Sequence, residues 1–420
     1  MATITTTEAV GGQGDSTAPI GVSAQSRHRR RPVRRSTAPY LLLGLLFLAG
    51  YSAVVLLRYR QPGAVSPGTA QLAREVRDYA WLHAPDISVH GVQTDALGLH
   101  FSPVLALLAP VYRLFPSALT LLLAQALLFA VSVIIVSATA GRLWGGHYKT
   151  EGRGRALAVG VAYGLSWGLQ DAVRADFQPT CFAVPLVALS LRNVLLKRWQ
   201  RAGLWALPLV FVQEDLGLTV AAIGLVVFLQ RRWATGALLG CFGVAALLLS
   251  VDWVIPHLSP TGGYAGWSHL PGGYLDLLAP LKLVQHLGTH SGTKAWTLVY
   301  LLAVTGFLAL RSPLLLVAVP TLAWRFLADN PAYWGTGRHY STVLMPIVFL
   351  AMVDAVQRCE ERGGDGWLRR YAAQAAVPVV TAVALTLCVS LQLPGLSLVK
   401  PSSYRSAPVQ PVSPRSPVPR

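Results

Sequence analysis

The chain has 420 residues, 53% of them hydrophobic and only 13% charged, with positive mean hydropathy. A soluble domain carries roughly 25% charged residues, so this composition excludes an ordinary water-soluble protein. The formal charge of +17, from 35 Lys and Arg against 18 Asp and Glu, would point to nucleic acid in a soluble protein; in a membrane protein it is first a topology signal, and no nucleic-acid partner is expected.

Residues 1–38 are rich in Thr, Ser, Gly and Gln and then in arginine, with Arg27, Arg29, Arg30, Arg31, Arg34 and Arg35 in one run. Such a segment predicts disorder. The run 40–57 is long enough to span and has no small-residue cleavage site beyond it, so it reads as a signal anchor with its basic front in the cytoplasm. Further spans are predicted at 117–140, 156–170, 180–196, 202–212, 216–229, 234–255, 296–310, 313–327, 342–357 and 372–392, making an integral membrane domain of 39–392. The tail 393–420, rich in Pro, Ser and Val, again predicts disorder. The fold class is therefore all-α, a polytopic transmembrane bundle of about eleven spans, with the lipid bilayer as its first partner.

Two long connections fall on the outer side. The first, 58–116, contains an apolar stretch at 103–115 that is too short to span and reads as a surface helix. The second, 256–295, carries Gly262, Gly263, Gly266, Gly272 and Gly273 among Tyr264, Trp267 and Tyr274, which suits a lid. With the N-terminus inside, the inner face carries +14, the outer face −1 and the tail +4. A rival topology merges 202–229 into one helix; it would bury Glu214 and Asp215 in mid-bilayer and carry the basic cluster at 358–370 to the outside.

The four cysteines, Cys181, Cys241, Cys359 and Cys388, lie far apart without a CxxC pair and read as packing residues. Gly164-Leu165-Ser166-Trp167-Gly168 fits GxSxG, but it lies inside an apolar helix where a nucleophile elbow needs a strand. Gly160, Gly164 and Gly168 recur every four residues and are better read as a helix-packing face. No P-loop, dinucleotide fingerprint or HExxH occurs.

Polar residues collect on the outer side, where eight of the ten histidines fall. The segments flanking Gln213-Glu214-Asp215 are only eleven to fourteen residues long, roughly 16 to 21 Å against a hydrocarbon core of about 30 Å, so that turn should be recessed. Carboxylates at such depth cost a few kcal/mol unless they line a wet cavity or meet a cation; capping of the helix that starts at Leu216 is the structural alternative. Asp176 is a second candidate acid, with pairing to Arg174 as its structural alternative. The last outer connection, Asp329 to Tyr340, brings Trp334, Arg338, His339 and Tyr340 together, a set suited to a sugar or a phosphate and equally to an interfacial belt.

The blocks His100-Phe101-Ser102-Pro103, Asp176-Phe177-Gln178-Pro179, Gln213-Glu214-Asp215 and Trp334 to Tyr340 before Pro346 resemble, in order, a prokaryotic membrane family catalogued as domain of unknown function 2079. The likeness covers about residues 40–360. That family is similar to the GT-C type of glycosyltransferase, which takes sugar from a polyprenyl-phosphate carrier at the outer face. This chain departs from the family pattern at Leu99, Gln178 and Gln213, where the family typically has Asp, His and Lys. It also lacks the acidic residue usual near 68–74, with Glu75 and Asp78 the nearest replacements. The resemblance implies Glu214, Asp215 and Asp176 as catalytic acids, Arg174 and Arg338 as phosphate partners, and His100, His339, Tyr340 and Trp334 as substrate contacts. A divalent cation is the cofactor such carboxylates would take. The expected function is transfer of a polyprenyl-phosphate-linked sugar at the extracytoplasmic face of the plasma membrane. Its main rival is a degenerate relative that binds the carrier or a partner without turnover. A transporter is the third reading, which the lack of internal repeats disfavours.

Overall fold

The computed structural model describes residues 37–362, apart from 62, 64, 90, 91, 145–148, 271, 272 and 274–278, and positions 370, 383 and 386 beyond. The arginine-rich segment, the tail and, but for two residues, the span expected at 372–392 lie outside the described residues.

Helix α1 (Ala38–Tyr59) is followed by α2 (Pro67–Ala80), whose start is capped by the Ser66 hydroxyl accepting from the Thr69 N–H. An antiparallel hairpin, β1 (Asp86–Val89) and β2 (Val92–Asp95), pairs Asp86 with Asp95 and Val89 with Val92. A 3-10 segment, Pro103–Leu108, leads into α3 (Ala109–Leu114). The bundle continues through α4 (Ala118–Trp144), α5 (Lys149–Gly164), α6 (Trp167–Arg174), α7 (Ala183–Leu195), α8 (Trp199–Ala206) and α9 (Leu216–Leu229). Helix α10 (Trp233–Leu249) runs through a π turn, Ser250–Val254, into α11 (Ile255–Leu258). The remainder comprises α12 (Pro280–Gly288), α13 (Ser291–Ala303), α14 (Val319–Leu327), α15 (Pro331–Trp334) and α16 (Leu344–Arg362).

The fold is an all-α membrane bundle. Among the described residues, three helical stretches are long and apolar enough to cross a bilayer alone: Ala38–Tyr59, Ala118–Trp144 and Trp233–Leu258. Several others, including Leu216–Leu229 and Pro313–Leu327, are shorter apolar helices. Near the centre lies α16, whose residues from Leu344 to Val356 are buried almost without exception; a helix apolar on all sides must be surrounded by other helices. It packs on α4, α7 and the 3-10 segments at Leu308–Arg311 and Pro313–Ala318.

Two local features separate the structure from its sequence reading, and a third, the interruption of 202–229, agrees with its leading version. The hairpin in the first long loop is new. The segment 156–170 is two helices, because the chain breaks at Leu165 and Ser166. Tyr51 donates from α1 to the Gly164 carbonyl at 2.6 Å, satisfying an end-of-helix acceptor, while the Phe47 ring fills the space where a side chain on Gly164 would go. Ser166 is buried in that break. The segment 202–229 is likewise interrupted: α8 runs into a 3-10 turn, Leu207–Phe211, and Gln213–Asp215 form a separate turn before α9, so the single merged helix does not form.

Glycine sets the closest helix pair. A Cβ on Gly224 would lie 2.6 Å from the Gly240 nitrogen, and one on Gly243 2.4 Å from the Gly217 carbonyl oxygen, so α9 and α10 meet backbone to backbone. The stretch expected as a surface helix buries Val104, Leu105, Leu108 and Tyr112 and leaves Leu107, Val111 and Leu114 exposed, the two-sided apolar pattern of a segment between protein and lipid. Before it, a Cβ on Gly98 would lie 2.5 Å from the Leu258 carbonyl oxygen. That contact seats the His100 loop against the end of α11.

Candidate functional site

The turn Gln213-Glu214-Asp215 meets the His100 loop directly. His100 Nδ1 lies 3.1 Å from Glu214 Oε1, and the Phe101 N–H donates to Oε2 at 3.1 Å. Tyr264, from the second long loop, donates its hydroxyl to Oε1 at 2.9 Å. The Glu214 side chain is 1% exposed, whereas that of His100 is 63% exposed. His100 is thus open to solvent inside a cleft, with its Nδ1 edge held by a buried carboxylate.

These contacts set the protonation of the group. Burial alone would raise the Glu214 pKa, but the hydrogen bond and charge of His100, with Tyr264 donating as well, hold it below the ordinary carboxylate value. For His100, burial would lower the pKa, and the hydrogen bond and charge of Glu214, assisted by Asp215 and Glu75, raise it instead. Asp215 behaves differently. Burial, then the negative charge of Glu214, push it up to about 7, and its Oδ1 is buried without a hydrogen-bond partner. One carboxylate of the pair is clamped in its ionised form, while its neighbour is free to take a proton.

A cavity of about 150 Å³ opens on this group. Besides His100, Glu214 and Asp215, its lining includes Tyr264, Trp324, Arg325, Tyr333, His339 and Tyr340. Arg325 is 3% exposed. Its Nε donates to the Tyr333 carbonyl at 2.8 Å, Nη2 to that of Gly335 at 2.7 Å, and Nη1 to the Tyr340 carbonyl and the Ser341 hydroxyl at 3.3 and 3.0 Å. All four acceptors are neutral oxygens, so the guanidinium shapes the 333–341 loop while leaving its charge uncompensated by those contacts. Burial, with Arg338 nearby, pushes His339 down to about 4, so it is neutral at pH 7. The Asp329 N–H donates to the His269 carbonyl at 2.7 Å, tying the second long loop to the last connection.

A second cavity, about 230 Å³, shares His100 and Gln213 with the first and is also lined by Gln71, Glu75, Ser102 and Gln178. Glu75 is 4% exposed with Oε1 unpartnered. Burial, then Asp95, push its pKa up to about 7 against the opposing effect of His100.

Of the residues singled out from sequence, His100, Glu214, Asp215, His339 and Tyr340 come together around the first cavity. The others lie elsewhere. Asp176 faces Arg58 at 3.9 Å rather than pairing with Arg174, and Arg58 also donates to the Ala175 carbonyl. The adjoining Phe177 and Gln178 N–H groups are held by Thr69 and Gln125, so this motif knots α1, α2 and α4 together. Arg174 lines neither cavity. Arg338 reaches the first only through its hydrogen bond to Tyr340. Trp334 is buried, donating to the Ala328 carbonyl, stacked on His290 and covered by the Lys294 ammonium.

Tyr264, Trp324 and Arg325 are functional candidates that sequence reasoning did not single out. Arg325 carried a usable signal, since a cation inside an apolar run is expensive unless it has a role. Tyr264 carried none beyond lying in a glycine-rich loop. As for a divalent cation, Glu214 already accepts three hydrogen bonds, and no cluster of three ligating side chains occurs among the described residues. Asp215, with its unpartnered Oδ1, is the carboxylate of the pair left to face such an ion.

The fold defines an all-α membrane protein, whose described residues bring acids, histidines and an arginine to a shared cavity. A family model described as a predicted membrane protein (DUF2079) matches residues 74–415, and the chain belongs to that family. Among solved structures it is similar to ArnT from Cupriavidus metallidurans bound to undecaprenyl phosphate, with 14% identity, a TM-score of 0.49, and coverage of 87% of this chain and 78% of that one. No curated protein matches significantly.

Proposed function

We propose that the protein transfers a sugar from a polyprenyl-phosphate carrier to an acceptor hydroxyl at the extracytoplasmic face of the plasma membrane. The reading is carried by one observation: Asp215, whose buried Oδ1 has no hydrogen-bond partner, shares a cavity with a buried arginine whose hydrogen bonds go to neutral acceptors.

In this scheme Asp215 takes the proton of the acceptor hydroxyl. The acceptor oxygen bonds to the anomeric carbon as the bond from that carbon to the phosphate oxygen breaks, and polyprenyl phosphate leaves with the electron pair. The field of Arg325 favours the negative charge growing on that phosphate. Glu214 is a poor base because three donors hold it ionised; it orients His100 and favours its protonated form. Tyr333, Tyr340 and Trp324 offer faces for a sugar ring. The cavity is smaller than the roughly 300 Å³ typical of the least drug-sized pockets, which suits one sugar ring with the carrier chain left in lipid.

The test is release of polyprenyl phosphate from a polyprenyl-phosphate sugar by the purified protein. Asp215→Asn should lower turnover by about 10²- to 10⁴-fold, the range for loss of a general base. In the wild type, kcat/KM should rise as pH passes upward through about 7, where Asp215 ionises, and this rise should be missing in the variant. Carrier binding without turnover by the wild type would instead favour the degenerate-binder reading, which the departures from the family motifs support.

A further inference from the structure

A second charged site lies at the far end of α9. This helix begins beside the carboxylates and ends at Leu229, roughly 21 Å away at 1.5 Å per residue. There a cleft of about 550 Å³ is lined by Lys197 and Arg198 from the α7–α8 turn, Trp199 and Arg201 from the first turn of α8, and Arg232 from the α9–α10 turn. The Arg232 guanidinium sits 5.9 Å from the centre of the Trp199 ring, linking the two turns. Gln200 and Thr235 add neutral polar groups, and among the described residues no carboxylate lines the cleft.

The two turns are built alike. Lys197 and Arg231 hold positive φ, 57° and 61°, one residue past the cap of α7 and of α9. In each, the following N–H reaches back to a carbonyl five residues earlier: Arg198 to Asn193 and Arg232 to Val227. This is the Schellman arrangement, in which glycine is the usual left-handed residue. A side chain at such a position accepts backbone strain of about 1 to 2 kcal/mol; of the two, Lys197 lines the cleft, while Arg231 precedes the lining residue Arg232. Orientation of the chain in the membrane needs basic residues near span ends. It does not need two strained turns facing each other across one cleft.

We propose that this cleft binds the phosphate of an anionic phospholipid headgroup. Four cations offer several donors and an excess of positive charge to the single negative charge of a phosphate diester. Trp199 and the neighbouring exposed Trp233 are the residue type that settles at headgroup depth. The proposal is independent of any catalytic role for the opposite end.

The test uses the full chain in mixed phosphatidylcholine and phosphatidylglycerol nanodiscs, with retained lipid counted by native mass spectrometry after release. The wild type should retain phosphatidylglycerol in preference to phosphatidylcholine. Retention should fall about tenfold in R198Q/R201Q/R232Q and persist in R198K/R201K/R232K, which keeps both charge and topology signal. Millimolar inorganic phosphate should not displace the lipid. Equal retention of the two lipids by the wild type, undiminished retention in the glutamine variant, or displacement by inorganic phosphate would each overturn the proposal. The wild-type comparison stands even if the glutamine variant does not fold.

Discussion

The two ends of α9 handle charge in opposite ways. At its start, Glu214 and Arg325 are almost fully buried and tied by several directed hydrogen bonds, Glu214 to two loops distant in sequence and Arg325 to the 333–341 loop. At its end, Lys197, Arg198, Arg201 and Arg232 are exposed and arranged by local turn geometry. A buried charge survives only if its partners are placed around it, so the first end is costly to disturb and sensitive to single atoms. Exposed cations are hydrated and screened, so the second end acts by summed charge.

That contrast makes Arg325 the most damaging side chain to cut. Arg325→Gln leaves several loop acceptors without donors, and a loss of about 2–5 kcal/mol of stability is expected, read as a lower thermal unfolding midpoint in detergent. Arg325→Lys should recover little, because an ammonium cannot span acceptors arranged around a planar guanidinium.

The Glu214 and His100 pair gives a pH signature. With His100 raised and Glu214 lowered, their mutual stabilisation is complete between the ordinary values of about 4.3 and 6.5. It is lost as pH falls through the lowered Glu214 pKa, and also as pH rises through the raised His100 pKa. Glu214→Gln should flatten this dependence and return the His100 titration, followed by NMR of its ring protons, toward or below the ordinary imidazole value. An unshifted His100 titration in that variant would mean that the contact is not formed.

The smallest effect belongs to the basic end. Lys197→Gly should stabilise by up to about 1 kcal/mol by relieving positive φ, while removing one of four lining cations and weakening lipid retention only in part. A loss of stability on chemical unfolding would remove the argument from strain.

How much of this was legible beforehand differs by element. The apolar runs of α1, α4, α9 and α10 are continuous, so their positions could be read to within a few residues. The hairpin at 86–95 and the break at Ser166 could not, because both depend on contacts made by distant residues, such as Tyr51 reaching the Gly164 carbonyl. Glu214 and Asp215 were found as acids in a recessed turn, and His100 through the family resemblance. Asp176 looked equivalent on that criterion, yet it faces Arg58 on the other side of the same knot. Pairing of this kind is set by which helices pack, and α1 is more than a hundred residues away from its partner.

By itself the sequence determined that this is a helical membrane protein and that its acids and histidines gather near particular turns. Both follow from the cost of placing polar groups in hydrocarbon, which is paid residue by residue along the chain. Only the tertiary structure decided which of those residues share a cavity, that Tyr264 and Arg325 join them, and that Glu214 is held ionised while Asp215 is left free. The reason is physical: protonation and partnership depend on the few ångströms around each group, and here those are supplied by loops that meet only when the bundle is closed.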